Sequence, residues 1–137
     1  QVGVRETRRI LGEYVLTGDD ILKGRKFPDA ICRSAYPIDI HNPAGEGTII
    51  KRPPPGDYYE VPYRCLVPLN VENLLIASRC ISATHEAHSA IRVMPTVMAI
   101  GQAAGTAAAL CVKLEIKPRE LDYSVLREAL RSQGAIV

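Results

Sequence analysis

Between Val93 and Val112 the chain runs for 20 residues without a charge. Such a stretch has to be a core helix or a membrane span. Its residues choose between these. Ala99, Ala103, Ala104, Ala107, Ala108 and Ala109 favour a helix, and Pro95 is suited to a first helical turn. Gly101-Gln-Ala-Ala-Gly105 has the Gly-x-x-x-Gly spacing of helices that touch inside membranes. Pro95, Thr96, Gln102, Thr106 and the weak apolarity of alanine argue against insertion. The segment is read as a helix near 95–113 packed closely on a sheet or another helix, and no membrane is expected as a partner.

The other elements follow from shorter signals. Two short strands are expected around Gly12, within 2–16. Thr17 followed by Asp20 is a capping-box pattern, and Gly24 is a stop, which predicts a helix over 18–23. A helical turn is expected over 29–33 and an extended piece through Tyr36–Ile40. Residues 42–57, with Pro43, Gly45, Gly47, Pro53, Pro54, Pro55 and Gly56, read as a hairpin-like flap with a strand at 48–52. Residues 58–67 read as a strand that Pro62 confines to an edge or a bulge. Leu74-Leu-Ile-Ala77 has the look of a strand buried on both faces. Asp122 as N-cap, an apolar face of Val125, Leu126, Ala129 and Leu130, and Gly134 as stop predict a helix over 123–133.

The 137 residues suit one folding unit, and a net charge of +2 without a Lys/Arg run implies no nucleic-acid partner. Cys32, Cys65, Cys80 and Cys111 form no Cys-x-x-Cys pair. They read as mostly buried thiols in a reducing, cytoplasmic setting. Glutamine, not methionine, comes first and no leader is visible, so the chain reads as a piece of a longer protein.

The segment from 74 to 114 carries the strongest chemical signal. A strand feeding a helix leaves unpartnered N–H groups near 94–97, which a ligand oxygen can satisfy. His85-Glu-Ala-His88 is one residue short of the zinc-protease pattern, and no metal site is expected. Cys80 with His85 allows a thiol nucleophile and base, although no oxyanion hole is recognisable. Arg5, Arg8, Arg9, Arg64 and Arg79 are cations able to clamp a carboxylate, or to pair on a solvated face.

Taken together, several stretches resemble the C-terminal portion of a family of FAD-dependent oxidoreductases. They are Val4-Arg-Glu-Thr-Arg-Arg-Ile10 with Gly12, Tyr14-Val-Leu-Thr17, Tyr36-Pro-Ile-Asp-Ile-His41, Pro62-Tyr-Arg-Cys-Leu-Val-Pro68, and Asn73-Leu-Leu-Ile-Ala-Ser-Arg-Cys-Ile-Ser82 on through Gly101-Gln-Ala-Ala-Gly105. The family's FAD domain is related to that of the fumarate reductase and succinate dehydrogenase flavoproteins. The resemblance implies that Ala77, Ser78 and Arg79 lie beside the ribityl and pyrophosphate region. It implies that Arg92, Met94, Pro95, Thr96 and Val97 bring a helix start to the pyrimidine edge of the isoalloxazine. It makes His85, His88, Arg64 and Arg9 the substrate-side, catalytic candidates.

The fold class expected is α+β: a small antiparallel sheet plus the C-terminal strand and helices of an FAD/NAD(P)-binding domain. Residues 1–72 would be a β-rich substrate-side segment, and 73–137 the C-terminal strand–loop–helix and terminal helix. The Gly-x-Gly-x-x-Gly unit for the ADP half of FAD is missing from these residues. The resemblance therefore implies a fragment that alone binds FAD weakly and is inactive, with the remainder of the FAD domain, an unknown small-molecule substrate and a homodimer through an exposed apolar face as partners. A stand-alone binding or regulatory module is the alternative, and a Cys80/His85 thiol hydrolase a third.

Overall fold

The structure, a computed structural model, describes residues 5, 6, 8–41, 45 and 47–137. Parts of the expected N-terminal strands (1–4 and 7) and of the flap (42–44 and 46) lie outside the described residues. The class is α+β. Helix α1 (Gly18–Leu22) precedes β1 (Ala30–Ser34), β2 (Ile38–His41), β3 (Thr48–Lys51) and β4 (Tyr59–Pro62). Single 3-10 turns follow at Tyr63–Cys65 and Ser78–Cys80. Then come α2 (His85–Ile91), α3 (Met94–Leu114), a 3-10 turn at Pro118–Glu120 and α4 (Tyr123–Ser132).

The strands form two antiparallel ribbons, β1 with β4 and β2 with β3. Pairing of Ile38 with Lys51 through His41 with Thr48 makes β2–β3 the expected hairpin. In the other ribbon Ala30 pairs with Pro62 but Cys32 with Val61, so a bulge sits where the proline ends β4. Helices α3 and α4 pack on β1, α2 on β2, and α1 on α2 and β4. Ile31, Tyr59, Val61, Leu66, Ile81, Ile91, Ile100, Leu126 and Leu130 belong to one core cluster.

Helix starts follow their caps. Thr17 Oγ1 accepts from Asp20 N at 3.2 Å, and the Asp20 carboxylate accepts from Thr17 N at 2.9 Å. Tyr14, Thr17 Oγ1 and Arg25 donate to the same buried carboxylate, so α1 is pinned rather than frayed. Asp122 caps α4 through Ser124 N at 2.8 Å, and its face turns Leu126 and Leu130 inward while Val125 stays exposed. Helix α3 carries Pro95 in its first turn, is closed by Glu115 in the left-handed conformation (φ 56°), and buries Ile100, Ala103, Ala104, Ala107 and Cys111. Its outer side leaves Met94 72%, Met98 72% and Val112 81% exposed, with open space over Gly101 and Gly105. By length and composition alone, α3 could cross a membrane.

Four local expectations are corrected. Residues 29–33 are mostly strand, because β4 offers a partner for a backbone that local pattern alone made helical. The long strand at 58–67 stops at Pro62, where the chain tightens into a 3-10 turn. Residues 74–77 form no strand. Leu74 is 44% exposed and Ile76 is held by one bond, from its N–H to the Leu66 carbonyl at 2.8 Å; no strand edge among the described residues lies beside it. The segment around Gly12 makes isolated bridges, Gly12 with Pro68 and Leu16 with Ala83, rather than two strands.

That segment lies in a groove between residues 64–68 and 80–84. Ile10 N donates to the Cys80 carbonyl (2.9 Å), Glu13 N to Val67 (3.0 Å), Leu16 N to Ser82 (3.1 Å), and Thr84 N returns a bond to Leu16 (2.8 Å). Glycine is required at 12: a Cβ there would stand 2.9 Å from the Arg64 carbonyl oxygen and 3.1 Å from that of Val67. We expect Gly12→Ala to destabilise by about 1–3 kcal/mol, as overpacking does, and Ile100→Ala by about 2–5 kcal/mol through an unfilled cavity. Urea denaturation of each variant measures both.

Candidate functional site

Thr84 caps α2, its Oγ1 accepting from Ala87 N at 3.3 Å. A spacing of three positions sets His85 and His88 on consecutive turns of α2. The N-terminal segment then brings Glu6 to both rings and Arg9 to Glu6. His85 Nδ1 stands 2.9 Å from one Glu6 carboxylate oxygen and 3.0 Å from the other. His88 Nδ1 is 3.7 Å from Glu6 Oε2. Arg9 pairs with Glu6 as well. Three of the four substrate-side candidates, His85, His88 and Arg9, thus meet on Glu6. Sequence reasoning passed over Glu6, since a carboxylate within Arg-Glu-Thr-Arg-Arg reads as part of a solvated charged face.

The two histidines differ in kind. His88 is fully buried, and its Nε2 is 2.9 Å from the Arg79 carbonyl oxygen. A carbonyl can only accept, so Nε2 carries the proton and the neutral ring turns a bare Nδ1 lone pair toward Glu6. Among the described residues no hydrogen-bond partner satisfies that Nδ1. Burial pushes the His88 pKa below the ordinary histidine value, against the pull of Glu6 and of the Arg79 carbonyl. His85 instead keeps about half of its side chain in solvent. Burial would raise the Glu6 carboxyl, but hydrogen bonds from His85 and Arg9 outweigh it and hold the group below the ordinary carboxylate range.

His88 links this cluster to the residues expected at the cofactor. Arg79 Nε donates to the Arg92 carbonyl at 3.0 Å, and Arg92 Nη2 donates to the Asp39 carbonyl at 3.1 Å. The Ser78–Cys80 turn packs against α3. Ala77, Ser78 and Arg79 therefore sit beside the α3 start formed by Arg92, Met94, Pro95, Thr96 and Val97. Ser78 holds a left-handed backbone (φ 70°), which costs a residue with a Cβ about 1–2 kcal/mol. Val93 gives α3 no side-chain cap, and its first turn carries no acidic residue. The first intrahelical bond runs from Val97 N to the Val93 carbonyl, which leaves the N–H groups of Met94 and Thr96 without an intrahelical acceptor. Met94 and Pro95 are exposed, whereas Thr96 is buried with its Oγ1 3.3 Å from Ser34 Oγ. Free donors and a positive helix end suit the electron-rich edge of a flavin ring. The fit extends to that edge and the adjoining turn.

Arg64 does not join them. Its Nε and Nη2 fork onto Asp29 at 2.9 and 3.2 Å, and its backbone N–H adds a third bond. The Asp29 side chain is completely buried, so Arg64 neutralises a core carboxylate. A cleft of about 660 Å³ lies between α1 and the β2–β3 hairpin, against Leu22, Ile38, Ile40 and Lys51; none of the expected substrate or cofactor residues lines it. Among the described residues no group of three or more His, Cys, Asp or Glu is placed to hold a metal ion. All four cysteines are free thiols, three buried and Cys80 exposed with its Sγ turned to the Ala77 carbonyl.

An α+β chain that joins an uncapped helix start to a carboxylate–histidine cluster has parts suited to holding a redox cofactor and moving a proton. Residues 1–130 match the family of FAD dependent oxidoreductases, and the chain belongs to that family. Membership implies FAD in the protein that carries the chain. No curated protein and no solved structure matches it.

Three outcomes follow from these environments. Arg64→Ala strands the Asp29 charge in the core and should cost about 3–5 kcal/mol, whereas removing the exposed Lys23–Asp19 pair should leave the urea midpoint nearly unchanged. The His88 pKa is depressed in the folded state, so its contribution to stability is complete above about pH 6.5, where the unfolded ring is neutral. It is lost as pH falls from there through the folded value, because only the unfolded state takes up the proton. Urea midpoints between pH 8 and 5 should fall accordingly, and less so in a His88→Gln variant. A thiol reagent should label Cys80 in the native protein and spare Cys32, whose thiol burial pushes up to about 12, until denaturant is added.

Proposed function

We propose that this chain is the C-terminal portion of an FAD-dependent oxidoreductase whose FAD domain is related to that of the fumarate reductase and succinate dehydrogenase flavoproteins. The observation that carries the reading is the uncapped start of α3 beside the strained Ser78–Arg79 turn. In this reading the N–H groups of Met94 and Thr96 hold the pyrimidine edge of the isoalloxazine. Ala77, Ser78 and Arg79 lie along the ribityl and pyrophosphate region, and Arg92 anchors the turn between them. Bound there, FAD would supply a hydride acceptor.

On the substrate side, His85 is the exposed ring able to hold or give up a proton, with Arg9 as a cation for a substrate carboxylate. His88 backs them from the core. Arg64 supports the floor of this side through Asp29. Residues 1–72 supply the substrate face and 73–137 the return into the FAD domain. The outer side of α3, with Met94, Met98 and Val112, would be covered by the remainder of that domain or by a second copy. The free thiols support a reducing, cytoplasmic setting.

These 137 residues contain no Gly-x-Gly-x-x-Gly unit, and the chain alone is expected to bind FAD weakly and to turn over nothing. The same observation favours the second reading, a stand-alone binding or regulatory module. The visible spectrum of the protein purified from its whole gene separates them. Flavin bands at roughly 370 and 450 nm, the positions that belong to the cofactor itself, support the oxidoreductase. A colourless protein that takes up no added FAD supports the module.

A further inference from the structure

The carboxylate beneath the two histidines has a direction built into it. Glu6 is contributed by the N-terminal segment and reaches His85 from 79 positions away in the sequence. Among the described residues three groups face it. Arg9 and His85 bond to it, and His88 presents a bare lone pair at 3.7 Å. Because the Arg79 carbonyl claims the Nε2 proton of His88, that neutral ring has no hydrogen to offer Glu6. Two acceptors facing each other repel, so the carboxylate turns its bonding capacity toward His85.

The contact with His85 is through Nδ1. An ionised carboxylate only accepts, so the hydrogen of this bond belongs to Nδ1. Nε2 is then the basic nitrogen. Solvated imidazole takes either tautomer, so a fixed one has to be imposed by the partner on the other ring nitrogen. In this structure that partner is Glu6, itself fixed by Arg9 and by the groove that holds the residues following it.

We propose that Glu6 is a positioning residue that locks His85 in its Nδ1–H form and thereby presents a bare Nε2 as the proton acceptor for the substrate. The proposal rests on the oxidoreductase reading for its reaction and on Glu6 geometry for its substance. When a substrate alcohol or amine gives up its hydride to the flavin, the proton of its O–H or N–H passes to His85 Nε2. The resulting imidazolium keeps both N–H bonds occupied, one by Glu6, and the reverse reaction returns the proton. The carboxylate stays ionised throughout, held so by its contacts with Arg9 and His85.

The test reads the tautomer directly and needs no substrate. The protein from the whole gene, carrying nitrogen-15 histidine, is examined by long-range proton–nitrogen correlation at a pH where the ring is neutral, with His85 assigned through a His85→Gln variant. The expected result is a pyrrole-like Nδ1 and a pyridine-like Nε2 at His85. Glu6→Ala should lose that pattern in favour of the Nε2–H form. Glu6→Gln, whose amide oxygen still accepts from Nδ1, should keep it. An Nε2–H tautomer in the wild type, or no change in a folded Glu6→Ala, overturns the proposal. Should Glu6→Ala not fold, the wild-type pattern and that of Glu6→Gln decide it. The absence of flavin bands from the same sample defeats the oxidoreductase reading while leaving the tautomer result intact, so the two failures are distinguishable.

Discussion

Everything at the candidate site depends on a close approach between backbones at Gly12. With no side chain there, the segment from Ile10 to Leu16 settles between residues 64–68 and 80–84 and exchanges hydrogen bonds with both. A side chain would lift it by a few tenths of an ångström against the carbonyl oxygens of Arg64 and Val67, which accept from Tyr14 N and Glu13 N of the same segment. The groove fixes Ile10 to Cys80, and Arg9 and Glu6 follow into register with α2. The ribbons and helices supply the walls, but this docking brings the carboxylate to the histidines.

The walls are held by polar groups in the core as much as by apolar ones. Tyr59 is buried with its hydroxyl between Ser34 Oγ, the Tyr36 carbonyl and the Ala90 carbonyl at 3.1, 3.2 and 3.2 Å. It therefore joins the end of β1, the approach to β2 and the last turn of α2. Thr96, on the first turn of α3, reaches the same Ser34. The position of the α3 start relative to α2 is thus set by a hydroxyl cluster beneath it, while the donors on its upper side stay uncommitted. Arg64 and Asp29 perform a comparable task where β1 meets the turn after β4, and a buried ion pair lost there leaves a charge that water cannot reach.

How much of this was legible in the sequence depended on whether the signal was local. The capping box of α1, the proline in the first turn of α3 and the Asp122 cap of α4 rest on residues within one turn of each other, the β2–β3 hairpin on strands close in sequence, and each stands as expected. Strand β1 was misread as helical because its strand character comes from β4, nearly thirty residues on. Residues 74–77 looked like a buried strand by apolarity, yet lack a neighbouring edge. Helix α2 went unrecognised, although Thr84 and the Ala87, Ala90 and Ile91 spacing were its signals, because two histidines and a serine weigh against helix in so short a run. Among the site residues, His85, His88 and Arg9 were singled out and do converge. Glu6 was not, since its significance comes entirely from a partner on a different element.

The separation of Glu6 from His85 along the chain has a consequence for how the molecule comes together. Closing so long a loop carries an entropic cost that local elements never face, and contacts of that range form slowly compared with helices and hairpins. A chain that has collapsed, with α2, α3 and α4 already packed, can hold both histidines in place and still lack the carboxylate between them. The site is complete only when the N-terminal segment has zipped into its groove, so its chemistry is a signature of finished folding.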